Sequence, residues 1–304
     1  LWAPRPGALV LTTTGERISR SGFRGPEPVK QREPGVLRLV LLGESSTFGT
    51  TVPWEQTCAP KLRALMAAHG VRAEVVNAGV IGHTVCQGVE RYRSAVRPLH
   101  PDVVVIAYGA QNEHAPCQGR CDREKLALAR EEREGRPSPW LALSSHVRVL
   151  QLSNWIVMRR EAPELSRRMA ESRQERSQDP ALIGQPDWPG CRRVPLDEFE
   201  AALRELCADV SADGARPVLC SLPRTPQTEL RLPILPLYSE VIARVGRELG
   251  VTVVDLRAAM LSAIAAGAEE TSFFMPPDTW HLGPTGQGLL ARLLADTLAA
   301  ERSR

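Results

Sequence analysis

Three residues far apart in this sequence have the types that covalent acyl chemistry needs. Ser45 stands in Gly43-Glu44-Ser45-Ser46-Thr47-Phe48-Gly49, directly after an apolar run, and Asp278 and His281 share the segment Pro277-Asp278-Thr279-Trp280-His281-Leu282-Gly283. A serine hydroxyl is a weak nucleophile at neutral pH, so it needs a base such as His281 to take its proton as it attacks. The imidazole that gains this proton needs orientation and charge stabilisation, which Asp278 can supply through the other ring nitrogen. An attacked carbonyl becomes an oxyanion, and three donors are candidates to surround it: the backbone N–H groups of Ser45 and Gly82 and the side-chain amide of Asn112. Gly82 lies in Asn77-Ala78-Gly79-Val80-Ile81-Gly82-His83-Thr84 and Asn112 in Tyr108-Gly109-Ala110-Gln111-Asn112-Glu113. Glycine at 82 also lets the backbone approach a substrate closely.

Each residue has a blander reading. Ser45 suits an N-cap, Gly82 a turn, Asn112 a loop cap, Asp278 a helix entry and His281 a surface position. The joint occurrence of the blocks favours chemistry, because each follows the end of an expected strand or precedes the last helix.

The elements that must position these residues follow from hydrophobic patterning. Apolar runs at Val36 to Leu42, Ala73 to Val76, Val103 to Tyr108, Pro217 to Ser221 and Val251 to Asp255 read as five strands. Helical stretches near Cys58 to His69, Leu196 to Ser211, Tyr238 to Leu249 and Thr285 to about Ala300 alternate with them. Short apolar runs alternating with helices imply a parallel sheet covered on both faces. With strand order 2-1-3-4-5, the loops carrying Ser45, Gly82 and Asn112 meet at the C-terminal edge, where open α/β sheets bind ligands. Asp255, at the end of the fifth strand, reads as a loop anchor.

Composition narrows the class. The 304 residues carry 38 basic and 35 acidic side chains, too balanced for a phosphate-neutralising surface, so nucleic acid is not the expected partner. No apolar run is long enough to span a bilayer. The segment Gly43 to Gly49 lacks the Gly-x-Gly-x-x-Gly spacing of a dinucleotide site. Thr47 occupies the place of the last glycine in the Gly-x-Ser-x-Gly elbow of an α/β-hydrolase.

The four blocks together resemble the SGNH hydrolases, also called the GDSL family. Ser45 matches the nucleophile block, Gly82 and Asn112 the oxyanion blocks, and Asp278 with His281 the last block. The resemblance covers roughly Leu37 to Ala300 apart from an insertion. It implies a flavodoxin-like three-layer α/β sandwich with a five-stranded parallel sheet, a Ser45-His281-Asp278 triad, and an oxyanion hole from Ser45, Gly82 and Asn112. Two positions depart from the family pattern: Glu44 replaces the usual aspartate before the serine, and Glu113 the common aspartate after the asparagine. Both keep a carboxylate.

The expected activity is hydrolysis of a carboxylic ester through an acyl-enzyme, with a short acyl group such as acetyl on a larger alcohol or sugar and no cofactor. One alternative is an O-acyltransferase using the same triad; another is a non-catalytic binding or scaffold domain.

Residues 1–35, rich in Pro, Gly and Arg, read as an extended arm before a hydrolase domain over 36–304. That domain is interrupted by a helical insertion at about 115–194, which is basic and holds Trp140, Trp155 and Trp188. Charged helical text at Arg123 to Arg136 and Arg159 to Arg176 brackets an apolar stretch, Trp140 to Met158, expected to form a lid over the Ser45 cleft. His114, Cys117, Cys121 and Cys191 have ligand types that suit zinc, but a local disulfide or free thiols are set ahead of a metal site. Cys207 and Cys220 read as core residues. The chain starts at Leu1 rather than Met, and the arm suits a tether to a signal or membrane anchor, so an extracytoplasmic bacterial location is expected.

Overall fold

The computed structural model describes residues 4–8, 10, 16, 18–50, 52–109, 111–117, 119–134, 180–276 and 280–302. Asp278 and the expected lid at Trp140 to Met158 lie outside the described residues, as does the second charged stretch, Arg159 to Arg176.

Five strands form one parallel sheet: β1 (Leu37–Gly43), β2 (Ala73–Asn77), β3 (Val103–Ala107), β4 (Arg216–Ser221) and β5 (Thr252–Asp255). Their order is β2-β1-β3-β4-β5, the arrangement expected from the sequence. Leu39 and Leu41 of β1 point to one face while Val40 and Leu42 point to the other, and all four are buried. Two-sided burial explains why the strands read as continuous apolar runs rather than as alternating ones.

The helices are α1 (Ser45–Phe48), α2 (Cys58–Ala68), α3 (Val85–Arg91), α4 (Asp122–Glu134), α5 (Pro180–Ile183), α6 (Leu196–Ala212), α7 (Pro226–Arg231), α8 (Ile234–Leu249), α9 (Leu256–Ala265) and α10 (Pro284–Arg302). On one face α3, α6 and α8 pack through Val85, Val89, Phe199, Leu203 and Val245 onto Val40, Val104 and Ile106. On the other, α2, α9 and α10 pack through Leu62, Met66, Met260 and Leu294 onto Leu39, Leu41 and Val105. Each such fully buried aliphatic side chain contributes about 1.5–3 kcal/mol, so the two cores fix the sheet and with it the loops at its C-terminal edge. Cys207 and Cys220 are buried in these cores. The Asp255 carboxylate caps α9 by accepting from Ala258 N at 2.9 Å, and it also accepts from the Ser221 hydroxyl at 2.6 Å.

The segment before β1 is anchored to this fold. Single β-bridges join Ile18 to Arg24 and Arg24 to Asn77, Phe23 enters the core, and the Arg24 side chain is buried.

Candidate active site

The turn after β1 carries Ser45 on a four-residue helix, too short to be stable by itself. Its carbonyls are held from outside, one after another. Ser45 O accepts from Gly49 N at 2.9 Å and Thr50 N at 3.2 Å. Ser46 O accepts from Gln287 Nε2 of α10 at 2.8 Å, and Gln287 Oε1 accepts from Cys58 N at 2.9 Å. Thr47 O accepts from Asn77 Nδ2 at 2.9 Å. Phe48 O accepts from Arg24 Nη1 at 2.7 Å, and the same guanidinium donates to Gly49 O and Val52 O. The turn that carries Ser45 is thus pinned by β2, the N-terminal segment and the last helix. Gly79 belongs to this packing, since a Cβ there would overlap the Phe48 backbone nitrogen.

His281, 236 residues away in sequence, brings its Nε2 to 3.0 Å from Ser45 Oγ. The bridge between Phe274 and Leu282 and the bond from Met275 N to His281 O fix the backbone of this segment. The distance is that of a hydrogen bond between the hydroxyl and the imidazole.

Gly82 and Asn112 come to the same place. Gly82 has φ of 78°, the left-handed region that favours glycine. Asn112 Nδ2 donates to Glu44 Oε2 at 2.8 Å and to His83 O at 3.0 Å, so the amide bridges the residue before Ser45 and the residue after Gly82. The structure therefore brings together Ser45, Gly82, Asn112 and His281.

Beneath them lies a buried charged group that the sequence left as two family departures. Glu44, Glu113 and Arg224 are at most 1% exposed. Burial first, and the neighbouring Glu113 second, push the Glu44 carboxyl up to about 8. Burial likewise raises Glu113, whose Oε1 accepts from Val85 N at 3.2 Å, and pushes Arg224 down to about 10. Arg224 donates to Gly109 O and Leu222 O, tying the β3 and β4 loops together.

The roots of the insertion complete the frame. Cys117 and Cys191 form a disulfide, so two of the four candidate zinc ligands are spoken for; no metal-binding cluster occurs among the described residues. Backbone bonds from Cys117 N to Cys191 O, Arg193 N to Ala115 O and Val194 N to Glu113 O zip the two strands of the root. Arg193 then reaches Gly82 O at 3.0 Å, while binding Asp122 at 2.7 Å and Gln87 at 3.1 Å. Sequence patterning missed Arg24, Asn77, Asp122, Arg193 and Gln287, because single long-range polar contacts leave no period; the only local signal was the Thr84/Gln87 capping box that starts α3. At the rim, His114 and Trp280 stack with ring centroids 6.1 Å apart. Burial first, and Arg224 next, push His114 down to about 4, so the pair is uncharged at neutral pH.

Comparisons with known proteins accord with this fold. Comparison with curated proteins finds no match. Among solved structures, the chain resembles the lipase/acylhydrolase from Enterococcus faecalis at 17% identity, covering 87% of this chain and 96% of that one with a TM-score of 0.53. It also resembles Axe2, an acetylxylan esterase from Geobacillus stearothermophilus, at 16% identity over 86% of this chain and 93% of that one, with a TM-score of 0.53. At such identities these likenesses speak to the fold. The model of the GDSL-like lipase/acylhydrolase family matches residues 41–289, from the end of β1 through β2 to β5, and includes Ser45 and His281. The chain belongs to the GDSL-like lipase/acylhydrolase family, and is a serine carboxylic ester hydrolase.

Proposed function

We propose that this enzyme removes a short acyl group, such as acetyl, from a larger alcohol or sugar through a Ser45-His281-Asp278 triad and an acyl-enzyme. The observation that carries the reading is the 3.0 Å approach of His281 Nε2 to Ser45 Oγ. Ser45 Oγ attacks the ester carbonyl carbon as its proton passes to His281 Nε2. The carbonyl oxygen takes the negative charge and is met by the Ser45 and Gly82 backbone N–H groups and the Asn112 amide. Collapse breaks the bond to the alcohol oxygen, which leaves with the proton from His281. Water then loses a proton to His281 as it attacks the acyl-serine, and His281 returns that proton to Ser45 Oγ as the bond from Oγ to the acyl carbon breaks and the carboxylic acid departs. Asp278 is assigned as the partner of the other imidazole nitrogen from its place three residues before His281.

The acyl group and the sugar each have one support. The resembling Axe2 is an acetylxylan esterase, and the His114–Trp280 pair offers an uncharged aromatic surface beside His281 on which a sugar ring can lie. An extracytoplasmic location is proposed with it, supported by the Cys117–Cys191 disulfide, since such bonds persist in oxidising compartments. A fluorophosphonate probe tests the chemistry: wild type should be labelled and Ser45→Ala should not. Equal labelling of the two would remove Ser45 from the mechanism.

A further inference from the structure

The Asn112 amide has only two N–H bonds, and both are already directed at acceptors: Glu44 Oε2 at 2.8 Å and His83 O at 3.0 Å. An oxyanion donor must give one of them to the substrate. The two acceptors differ in kind. His83 O is a neutral carbonyl, and a developing oxyanion competes with it successfully because charged acceptors bind N–H groups more strongly. Glu44 is fully buried, so a substrate does not reach its carboxyl.

We propose that Glu44 is the positioning residue for Asn112, holding one amide N–H throughout turnover while the other swings from His83 O to the oxyanion. The inference rests on the reading of Asn112 as an oxyanion donor.

Three observations support it. Glu44 precedes Ser45, so its bond to Asn112 ties the donor directly to the nucleophile turn. As the residue before α1, Glu44 is placed to cap that helix, yet its side chain makes no capping bond and turns to Asn112 instead. Its other oxygen, Oε1, is buried and has no hydrogen-bond partner among the described residues. With the carboxyl pushed up to about 8 by burial, a proton can sit on that oxygen while Oε2 continues to accept. The pair therefore keeps its orientation in either charge state. The His83 carbonyl, which can only accept, settles which way round the Asn112 amide sits, because the nitrogen side must face it.

The test is a double-mutant cycle on the full chain with p-nitrophenyl acetate, using Glu44→Met, Asn112→Ala and the double variant, with Glu44→Gln as the conservative replacement. Glu44→Met should lower kcat by about 10-fold to 100-fold with KM changed less than about threefold. Glu44→Gln, which still presents an oxygen to Asn112, should recover all but about threefold of that loss. In the Asn112→Ala background, Glu44→Met should cost less than about threefold more, since the donor it positions is gone. A full, multiplicative loss in that background overturns the inference. So does an unchanged kcat in folded Glu44→Met. An Asn112→Ala variant that keeps wild-type kcat instead overturns the reading of Asn112 itself. Should Glu44→Met not fold, Glu44→Gln carries the same cycle: its loss must vanish in the Asn112→Ala background, and its persistence there overturns the positioning role.

Discussion

Replacing Arg24 by methionine tests whether the segment before β1 is part of the catalytic frame. The guanidinium is buried and donates to Phe48 O, Gly49 O and Val52 O, with Glu16 Oε2 at 3.0 Å on its far side. Methionine keeps apolar contact with the Phe48 ring, over which the guanidinium carbon sits at 5.0 Å, but it donates nothing. Phe48 O retains Asn77 Nδ2 at 3.3 Å and Gly49 O retains Val52 N at 3.1 Å, so the Val52 carbonyl is the one left stranded. Each buried group left unpaired costs about 1–3 kcal/mol. Against this stands the cost of burying the cation, which lowers the Arg24 pKa, and which the variant is spared. The net loss should be about 1–3 kcal/mol in urea unfolding. Because the three carbonyls that Arg24 holds close the turn that carries Ser45, kcat for p-nitrophenyl acetate should fall more than KM rises. A variant within about 0.5 kcal/mol of wild type with an unchanged kcat would refute the view that Arg24 holds the nucleophile turn.

The other expectations are briefer. Ser45→Ala or His281→Ala should slow turnover of p-nitrophenyl acetate by roughly 10³-fold or more, leaving residual rate from binding and oxyanion donors; activity within tenfold of wild type in both would exclude the triad. Converting Cys117 and Cys191 to serine reopens a loop of 74 residues and should lower stability by about 4 kcal/mol on the chain-entropy scale, read as a shift in urea midpoint. Wild type should lose stability as pH rises from about 5 to about 8, because the folded protein keeps a proton on buried Glu44 that the unfolded chain releases near its ordinary value. Above about 8 this contribution levels off, and Glu44→Gln should show a shallower slope in thermal melts across the same window; an equal slope would place the titration elsewhere.

Much of the fold was legible because it rests on periodic burial. The five strands emerge within a residue or two of their apolar runs, and their order follows from the doubly wound pattern. Less legible were the short helices. α3 was missed because Gly88 interrupts it where a Cβ would meet the Tyr108 ring, and α9 because it starts at once after β5 with no loop to announce it. Of the site, Ser45, Gly82, Asn112 and His281 were readable from residue type and strand-end position. Their supports were not. Arg24 sits in a stretch whose Pro and Gly content reads as tether, and the pairing of Cys117 with Cys191 was one of several readings that spacing left open. Glu44 and Glu113 looked like tolerated swaps, but both are buried and Glu44 holds the amide of Asn112.

The disulfide at the root has a consequence for how this scaffold can change. The chain leaves at Cys117 and comes back at Cys191 with Cα atoms only 5.3 Å apart, and Arg193 fastens the return strand to Gly82 O. Closing a longer or shorter excursion between two points so near each other adds little, since each doubling of loop length costs about 0.6 kcal/mol. The root thus behaves as a socket. Segments of different length and composition that keep Asp122 can be exchanged at it without moving Gly82, so selectivity can drift across generations while the reaction stays the same.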